Sequence, residues 1–127
     1  MKLERDEAVV VMTMEGEENR FNPDHLDELD AALDEVAAME GHPALVLSGE
    51  GKFFSLGLDL EWMGTVEPND AKAMVELTMA LLARLLTAPF GVVAAVNGHA
   101  FGAGLMAALA SDMRVMREDR GYLCLPE

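Results

Sequence analysis

Residues 85–111 carry no formal charge, and this stretch limits what the chain can fold into more than any other part of the sequence. By length alone it could span a bilayer. Its centre, however, is the turn-forming Asn97-Gly98-His99, and Gly102 and Gly104 follow within one helical turn. A lipid-exposed helix interrupted in this way would leave backbone amides unpaired in hydrocarbon. We therefore expect a buried strand, a turn and a helix here, not a membrane span.

Composition is typical of a globular domain with an acidic surface. The 127 residues suffice for one domain, and 51% of them are hydrophobic, which is enough to bury a core. The formal net charge of −14 would repel phosphate backbones, so we expect no nucleic-acid partner. Cys124 is the single cysteine and the three histidines are scattered, so we expect neither a disulfide nor a metal site.

The two ends of the sequence bear on location. Residues 1–7 mix charges of both signs and lack an apolar segment, so they do not resemble a secretory signal. With no targeting segment visible, we expect a cytoplasmic protein. A peroxisomal location stays open because such an address would lie at a C-terminus beyond this sequence. Since the sequence stops at Glu127, directly after a predicted strand, we expect the natural chain to continue.

Apolar runs alternate with helical patterns, which predicts an α/β architecture with largely parallel strands. The predicted strands cover residues 3–5, 8–14, 44–47, 90–96, 113–116 and 122–125. Three of them are too apolar to stand at a sheet edge, so we expect them to be buried neighbours in one sheet. They are the strands at residues 9–12, 45–47 and 92–96.

Three helices are predicted between these strands. The Asn22-Pro23 pair indicates a helix N-terminus, and the apolar stripe that follows ends at Gly41. A second helix begins near residues 69–70 and a short third covers residues 105–110. The residues expected to point inward are Leu26, Leu29, Leu33, Val36 and Ala37 in the first helix, and Met74, Leu77, Leu81 and Leu85 in the second.

Two glycine-containing loops lie where a predicted strand gives way to a helix: residues 55–60 (SLGLDL) and residues 98–104 (GHAFGAG). The first N–H groups of a helix lack helical partners and carry partial positive charge. Two such loops facing each other would supply the converging donors that an oxyanion needs. The alternative is that the glycines serve only tight turns and close packing.

Neither loop matches a nucleotide-binding fingerprint. The second reads G-x-x-x-G-x-G and not G-x-G-x-x-G, and Gly51-Lys52 is followed by Phe53 where a P-loop has Ser or Thr. Ser55 lacks the glycine two positions earlier that a nucleophile elbow requires. His99 fits a turn residue better than a general base.

Together the two loops resemble the signature segments of the enoyl-CoA hydratase/isomerase (crotonase) superfamily. Residues 51–60 (GKFFSLGLDL) are similar to its first acyl-CoA loop. Residues 89–104 (PFGVVAAVNGHAFGAG) are similar to its second, and Ser111-Asp112 follow where the family has a similar pair. The order and separation of the segments match as well. The resemblance covers essentially the whole chain, but only about the first half of a family chain.

The resemblance implies an α/β fold of repeated ββα units, the crotonase-like spiral (ClpP/crotonase), with the helical C-terminal part missing. Residues 1–127 would then form one N-terminal core domain. The implied partner is an acyl-CoA substrate of fatty acid metabolism, with coenzyme A as part of the substrate and no permanently bound cofactor. A full-length chain would form a homotrimer or hexamer.

By the same resemblance, the backbone N–H groups of Leu58 and Ala103 would hold the thioester oxygen, and Glu127 would move the proton. We expect both amides to point into one cavity, with no acceptor in the chain. The residues implied in substrate binding, with Lys52 as a phosphate contact, are Ser55, Leu56, Gly57, Asp59, Leu60, Gly102, Gly104, Lys52 and Met106.

One position separates two reactions of the family. Hydratases carry a glutamate three residues after the second amide, where this chain has Met106, and a second glutamate corresponds to Glu127. Hydration uses two carboxylates, one of which activates water, whereas one carboxylate can move a proton from C2 to C4. Residues 117–123 (REDRGYL) also resemble Δ3,Δ2-enoyl-CoA isomerases. We therefore expect an isomerase acting on a 3-enoyl-CoA; the alternatives are a hydratase, another crotonase-type lyase or hydrolase, and a non-catalytic acyl-CoA-binding fragment.

Overall fold

The computed structural model describes residues 1–126, in which ten strands and four helices alternate. The strands are β1 (Lys2–Asp6), β2 (Val9–Met14), β3 (Arg20–Phe21), β4 (Ala44–Gly49), β5 (Phe53–Ser55), β6 (Gly57–Leu58), β7 (Val92–Val96), β8 (His99–Phe101), β9 (Met113–Met116) and β10 (Leu123–Cys124). The helices are α1 (Pro23–Ala38), α2 (Leu60–Met63), α3 (Pro68–Leu86) and α4 (Gly102–Ala110).

The strands form three sheets. The main sheet has the order β1-β2-β4-β7-β9 and is parallel except for the β1–β2 hairpin at its edge. A second sheet, called the smaller sheet below, is wholly parallel and has the order β10-β8-β5. A third sheet consists of the parallel pair β3 and β6. The three strands predicted to be buried neighbours, β2, β4 and β7, occupy the three inner positions of the main sheet, as the sequence predicts.

The chain repeats one structural unit. In β4–β5 and in β7–β8, the first strand joins the main sheet and the second joins the smaller parallel sheet, before α3 or α4 follows. The pair β9–β10 divides between the two sheets in the same way. These are the repeated ββα units that the resemblance implies, so the predicted fold class is confirmed.

One face of the main sheet is fully buried. Successive side chains of a strand point to opposite faces, and the core takes every second residue of the inner strands. These core residues are Val10, Met12, Met14, Leu45, Leu47, Val92, Ala94 and Val96. They form one cluster with the buried stripes of α1, α3 and α4. Burial of this face fixes the strands that carry the loops described below.

The start of α1 has an identifiable cause. Asn22 caps α1 as predicted, because its Oδ1 accepts from the backbone N–H of His25 at 3.0 Å, and Pro23 is the first helical residue.

The buried residues of α1 and α3 differ in part from the prediction. Leu77 is 44% exposed, and Thr78 is buried in its place, with Oγ1 donating to the carbonyl oxygen of Met74 at 2.9 Å.

At about 100° of rotation per residue, Thr78 lies closer than Leu77 to the centre of the face that Met74, Leu81 and Leu85 define. Leu77 is three residues from Met74 and four from Leu81, so its apolar side chain fits the same helical pattern in the sequence. Ala37 was also predicted to be buried, but it is exposed, and Ala32 contributes to the core of α1 instead.

Short elements differ from the sequence prediction. The turn predicted around His99 contains β8, and α4 begins at Gly102, three residues before the predicted start. The loop predicted after Ser55 contains β6 and leads into α2. The uncharged residues 85–111 form the end of α3, then β7, β8 and α4. Within residues 1–126, no helix is both long enough and apolar enough to cross a membrane.

Candidate active site

The carboxyl ends of three parallel strands meet at one edge of the smaller sheet. In the register of β5, β8 and β10, Ser55 pairs with Ala100 and Cys124 pairs with Phe101. Predicted site residues follow directly: Leu56, Gly57 and Leu58 after β5, and Gly102 and Ala103 after β8. In open α/β sheets, ligands bind outside the carboxyl ends of the strands. This edge is therefore the candidate active site.

The two glycine loops are packed against each other. A Cβ built on Gly104 would lie 2.5 Å from the carbonyl oxygen of Ser55, which is far closer than atoms can approach. The φ angle of Gly102 is 48°, a left-handed conformation that favours glycine. Both glycines let the first turn of α4 approach the β5–β6 segment, so the structure brings the two predicted loops together.

Leu58 and Ala103 lie on the two sides of this contact. Leu58 is half-buried in β6, and Ala103 is 1% exposed in the first turn of α4, which packs against β6. Neither residue is without a partner in the chain, so the expectation that their amides lack acceptors is not confirmed. Their role as oxyanion donors stays a prediction.

Ser55 shapes the first loop from inside the protein. It is fully buried, its Oγ donates to the backbone carbonyl of Asn19 at 2.7 Å, and the same oxygen accepts from the N–H of Gly57 at 3.0 Å. The hydroxyl therefore makes two hydrogen bonds that fix the turn before Leu58.

Asn19 completes this support and was missed by sequence reasoning. It is 2% exposed, its Nδ2 donates to the carbonyl oxygens of Phe53 and Phe54 at 3.2 and 3.0 Å, and its Oδ1 accepts from the N–H of Gly16 at 2.7 Å. Its φ of 50° is one that Asn adopts more readily than most residues. In the sequence it is one polar residue in a polar loop, and nothing there indicates that it lies beneath β5.

Asp59 and Leu60 form the start of α2. Asp59 caps this helix, because its Oδ1 accepts from the N–H of Trp62 at 3.0 Å, and its Oδ2 accepts from Nδ2 of Asn22 at 3.3 Å. It thereby links the N-termini of α1 and α2. Leu60 is 51% exposed, whereas Leu56 is half-buried. The segment predicted to line a coenzyme A channel is thus held rigidly at Asp59 and presents an apolar side chain at Leu60.

The surroundings of Lys52 are acidic. Its Nζ lies 5.2 Å from the centroid of the Phe53 ring. Glu15, Glu17 and Glu50 line the same surface cavity as Lys52. Carboxylates so near the ammonium group oppose the approach of a phosphate. Arg20 lies beside Gly57 in the β3–β6 pair, and the hydrogen bond that its Nε donates to the carboxylate of Glu18 raises the pKa of its guanidinium.

Two further residues, Met106 and Glu127, are predicted to belong to this site. Met106 lies one turn after Ala103 in α4 and is half-buried, and none of the nine residues of α4 carries a charge. Glu127, predicted as the proton carrier, lies outside the described residues. It follows Cys124 by three residues, and Cys124 lies beside Phe101, which directly precedes α4.

Comparison with known proteins gives the family to which this fold and its two packed loops belong. The family model described as enoyl-CoA hydratase/isomerase matches residues 4–125, and the chain belongs to that family. It is 37% identical to "Enoyl-CoA delta isomerase 3" of Arabidopsis thaliana, over 98% of this chain and 55% of that protein. It is 33% identical to a probable enoyl-CoA hydratase of Bacillus subtilis, over 96% and 48% of the two chains.

A solved structure agrees with these relatives. The crystal structure of an enoyl-CoA hydratase from Bacillus anthracis matches with a TM-score of 0.89 and 25% identity, covering 96% of this chain and 49% of that one. The chain thus spans about half the length of the relatives that it matches.

Proposed function

We propose that this chain carries the oxyanion-binding part of an enoyl-CoA isomerase, which moves the double bond of a 3-enoyl-CoA to the 2-position. The observation that supports this most strongly is the shared edge of β5, β8 and β10. The three strands run parallel, so Leu58 and Ala103 follow strand ends on one side of the sheet, and β10, which ends three residues before Glu127 in the sequence, ends on that side too.

The proposed reaction begins with the thioester oxygen. The N–H groups of Leu58 and Ala103 donate to it, and removal of the C2 proton places negative charge on that oxygen as a dienolate forms. Fixed donors stabilise such charge strongly, and losing one typically costs about 10²–10³ in kcat. Ala103 is in the first turn of α4, so the helix dipole acts in the same sense. The hydrogen bonds of Ser55 and Asn19 hold in place the loop that carries the other donor, Leu58.

The carboxylate of Glu127 takes the proton from C2 and returns it to C4. Three residues of chain span at most about 11 Å, and Cys124 is paired with Phe101 next to the start of α4. Chain length therefore allows this carboxylate to reach a substrate held at Ala103.

Met106 favours isomerisation over hydration. Addition of water to a 2-enoyl-CoA needs a second carboxylate to activate the water, and Met106 supplies an apolar, half-buried side chain one turn after Ala103. A hydratase is the second candidate, because relatives of similar identity are named as probable or putative enoyl-CoA hydratases.

The ligand, the oligomeric state and the location of the protein are also part of the proposal. The ligand is an acyl-CoA thioester whose coenzyme A part runs along residues 56–60 and needs no further cofactor. For the whole protein we propose a homotrimer or hexamer located in the cytoplasm. Two isomerase relatives of Arabidopsis thaliana are named as peroxisomal, which keeps that compartment as the alternative.

The identity of the product tests the proposal. The protein is incubated separately with a 3-enoyl-CoA and a 2-enoyl-CoA of the same chain length. The products are separated by chromatography, and their masses are measured by mass spectrometry. We expect conversion of the 3-enoyl-CoA without a change in mass, and little uptake of water by the 2-enoyl-CoA. Water addition as fast as isomerisation would favour the hydratase. Thioester binding without turnover of either compound would favour a purely binding role.

A further inference from the structure

His99 anchors the last described strand of the smaller sheet. The backbone N–H of Tyr122 donates to Nδ1 of His99 at 3.2 Å, and the N–H of Ala100 donates to the carbonyl oxygen of Tyr122 at 3.0 Å. The rings of His99 and Tyr122 stack, with centroids 5.4 Å apart and planes inclined by 26°. Two hydrogen bonds and a ring contact thus fix Tyr122 where β10 begins.

This contact requires one form of the imidazole. To accept the amide proton of Tyr122, Nδ1 must present a lone pair, and it does so when the ring proton is on Nε2. The rings of Phe53 and Phe101 lie 5.4 and 5.7 Å from that of His99 and hold its orientation from the other sides. His99 is therefore a fixed hydrogen-bond acceptor.

Within residues 1–126, the other contacts of β10 are few and are made with β8 and α4. The strand pairs with β8 over only two residues, and Leu123 and Tyr122 are 53% and 73% exposed. Burial of apolar surface therefore contributes little to its docking. The preceding Gly121 has a φ of 122°, and a Cβ there would lie 2.9 Å from the carbonyl oxygen of Gly98. The chain thus passes directly over the Gly98-His99 turn before it reaches Tyr122.

We infer that His99, as the Nε2–H tautomer, is a positioning residue that fixes β10 through the amide of Tyr122 and thereby aligns the segment leading to Glu127. It does not touch the reacting atoms. The anchoring of β10 stands on the contacts alone, whereas its effect on proton transfer rests on the proposed function.

Two variants of the 127-residue chain separate the acceptor from the ring. His99→Asn retains an acceptor close to the position of Nδ1 but loses the ring, and His99→Phe retains the ring but loses the acceptor. Hydrogen exchange of the Tyr122 amide is measured by NMR in both, with the amides of Val10 and Ala94 as controls for the folded core. The ¹⁵N shifts of the wild-type imidazole report its tautomer.

We expect the Nε2–H signature in the wild type. Exchange at Tyr122 should be about tenfold faster in His99→Phe, as loss of one hydrogen bond implies, and close to wild type in His99→Asn. An Nδ1–H or doubly protonated ring would overturn the inference, and so would equal exchange rates in the two variants. If His99→Phe does not fold, the tautomer of the wild type decides alone.

Kinetics with a 3-enoyl-CoA address the link to the reaction. We expect kcat to fall about tenfold in His99→Phe with KM within about twofold, and to recover in His99→Asn, because the thioester oxygen is bound elsewhere. An unchanged kcat despite faster exchange at Tyr122 would overturn the positioning role. A wild-type chain that isomerises nothing while the exchange results hold would contradict the proposed function and leave the anchoring of β10 intact.

Discussion

Gly104 lies against Ser55 so closely that no side chain fits between them. A Cβ on Gly104 would come within 2.5 Å of the carbonyl oxygen of Ser55 and 2.7 Å of its Oγ. Because Ser55 is itself held by Asn19, the first turn of α4 rests on a rigid loop. The distance between the two proposed oxyanion donors is therefore set by the absence of a side chain at position 104.

Replacing Gly104 with alanine should destabilise the protein. In an ordinary helix this change stabilises by up to about 1 kcal/mol, but here the added methyl group would force the β5 loop and α4 apart. We expect a loss of about 1–3 kcal/mol, typical of overpacking, measured by urea unfolding. Gly91→Ala is the matched control, since a Cβ on Gly91 meets nothing within 4 Å. Greater stability in Gly104→Ala than in the wild type would contradict the close contact.

Loss of the Ser55 hydroxyl should loosen the first loop. Ser55→Ala leaves the carbonyl of Asn19 and the N–H of Gly57 without this partner in a buried place, and each such group costs about 1–3 kcal/mol. Ser48→Ala removes a single hydrogen bond, to the carbonyl of Ala95, at a half-buried position. Urea unfolding of both variants should therefore show the greater loss for Ser55→Ala. Equal losses would mean that the buried network of Ser55 contributes no more than the single half-buried hydrogen bond of Ser48.

His25 makes stability depend on pH. Its Nε2 is buried and, within the described part of the chain, has no hydrogen-bond partner, and burial lowers the pKa of its imidazole. Below about pH 6.5 the imidazole of His25 takes up a proton in the unfolded chain. The buried ring of the folded protein stays neutral to a lower pH, because its pKa is lowered. The stability that depends on the neutral ring is therefore present above about pH 6.5 and is lost as the pH falls through the folded pKa.

The test compares unfolding free energies at about pH 7.5 and about pH 5.5. The loss on acidification should be smaller in His25→Phe than in the wild type, by at most about 1.4 kcal/mol per pH unit. His42→Asn serves as the control, because His42 is exposed and its φ of 46° suits asparagine. An identical pH dependence in the wild type and His25→Phe would show that His25 is not the group responsible.

Much of the fold could be predicted from the sequence because its signals are local. The apolar runs of β2, β4 and β7 are long enough to be recognised, and the Asn22-Pro23 pair marks the start of α1. The strands of the smaller sheet and of the β3–β6 pair are only two or three residues long and depend on pairing across the chain. For that reason β8 and β6 were hidden in segments predicted as turn and loop.

The repeat and the support of the site are also not visible in the sequence. The strands β2, β4, β7 and β9 begin at residues 9, 44, 92 and 113, so the repeated unit has no constant period. Asn19 acts on β5 across more than thirty residues of chain, which no local pattern encodes. The two loops were found only because their motifs occur together in the right order.

Met106 should govern the choice between isomerisation and hydration. Met106→Glu supplies the second carboxylate that can activate water, so we expect slow water addition to a 2-enoyl-CoA, with isomerisation unchanged or slower. Met106→Gln is the control, since it has a similar shape and no carboxylate. Products are quantified by mass spectrometry. Water addition in the glutamine variant as fast as in the glutamate variant would refute this role of the carboxylate.

The most direct test of the proposed mechanism is the rate of isomerisation in Glu127→Gln. Formation of the conjugated thioester from a 3-enoyl-CoA is followed by absorbance in the wild type, in Glu127→Gln and in the control Glu118→Gln, whose glutamate is exposed. We predict a fall of about 10²–10⁴-fold in Glu127→Gln only, the usual share of a positioned acid or base. Binding of the thioester should survive, since the amides of Leu58 and Ala103 are untouched. Full activity in Glu127→Gln would contradict the single-carboxylate mechanism.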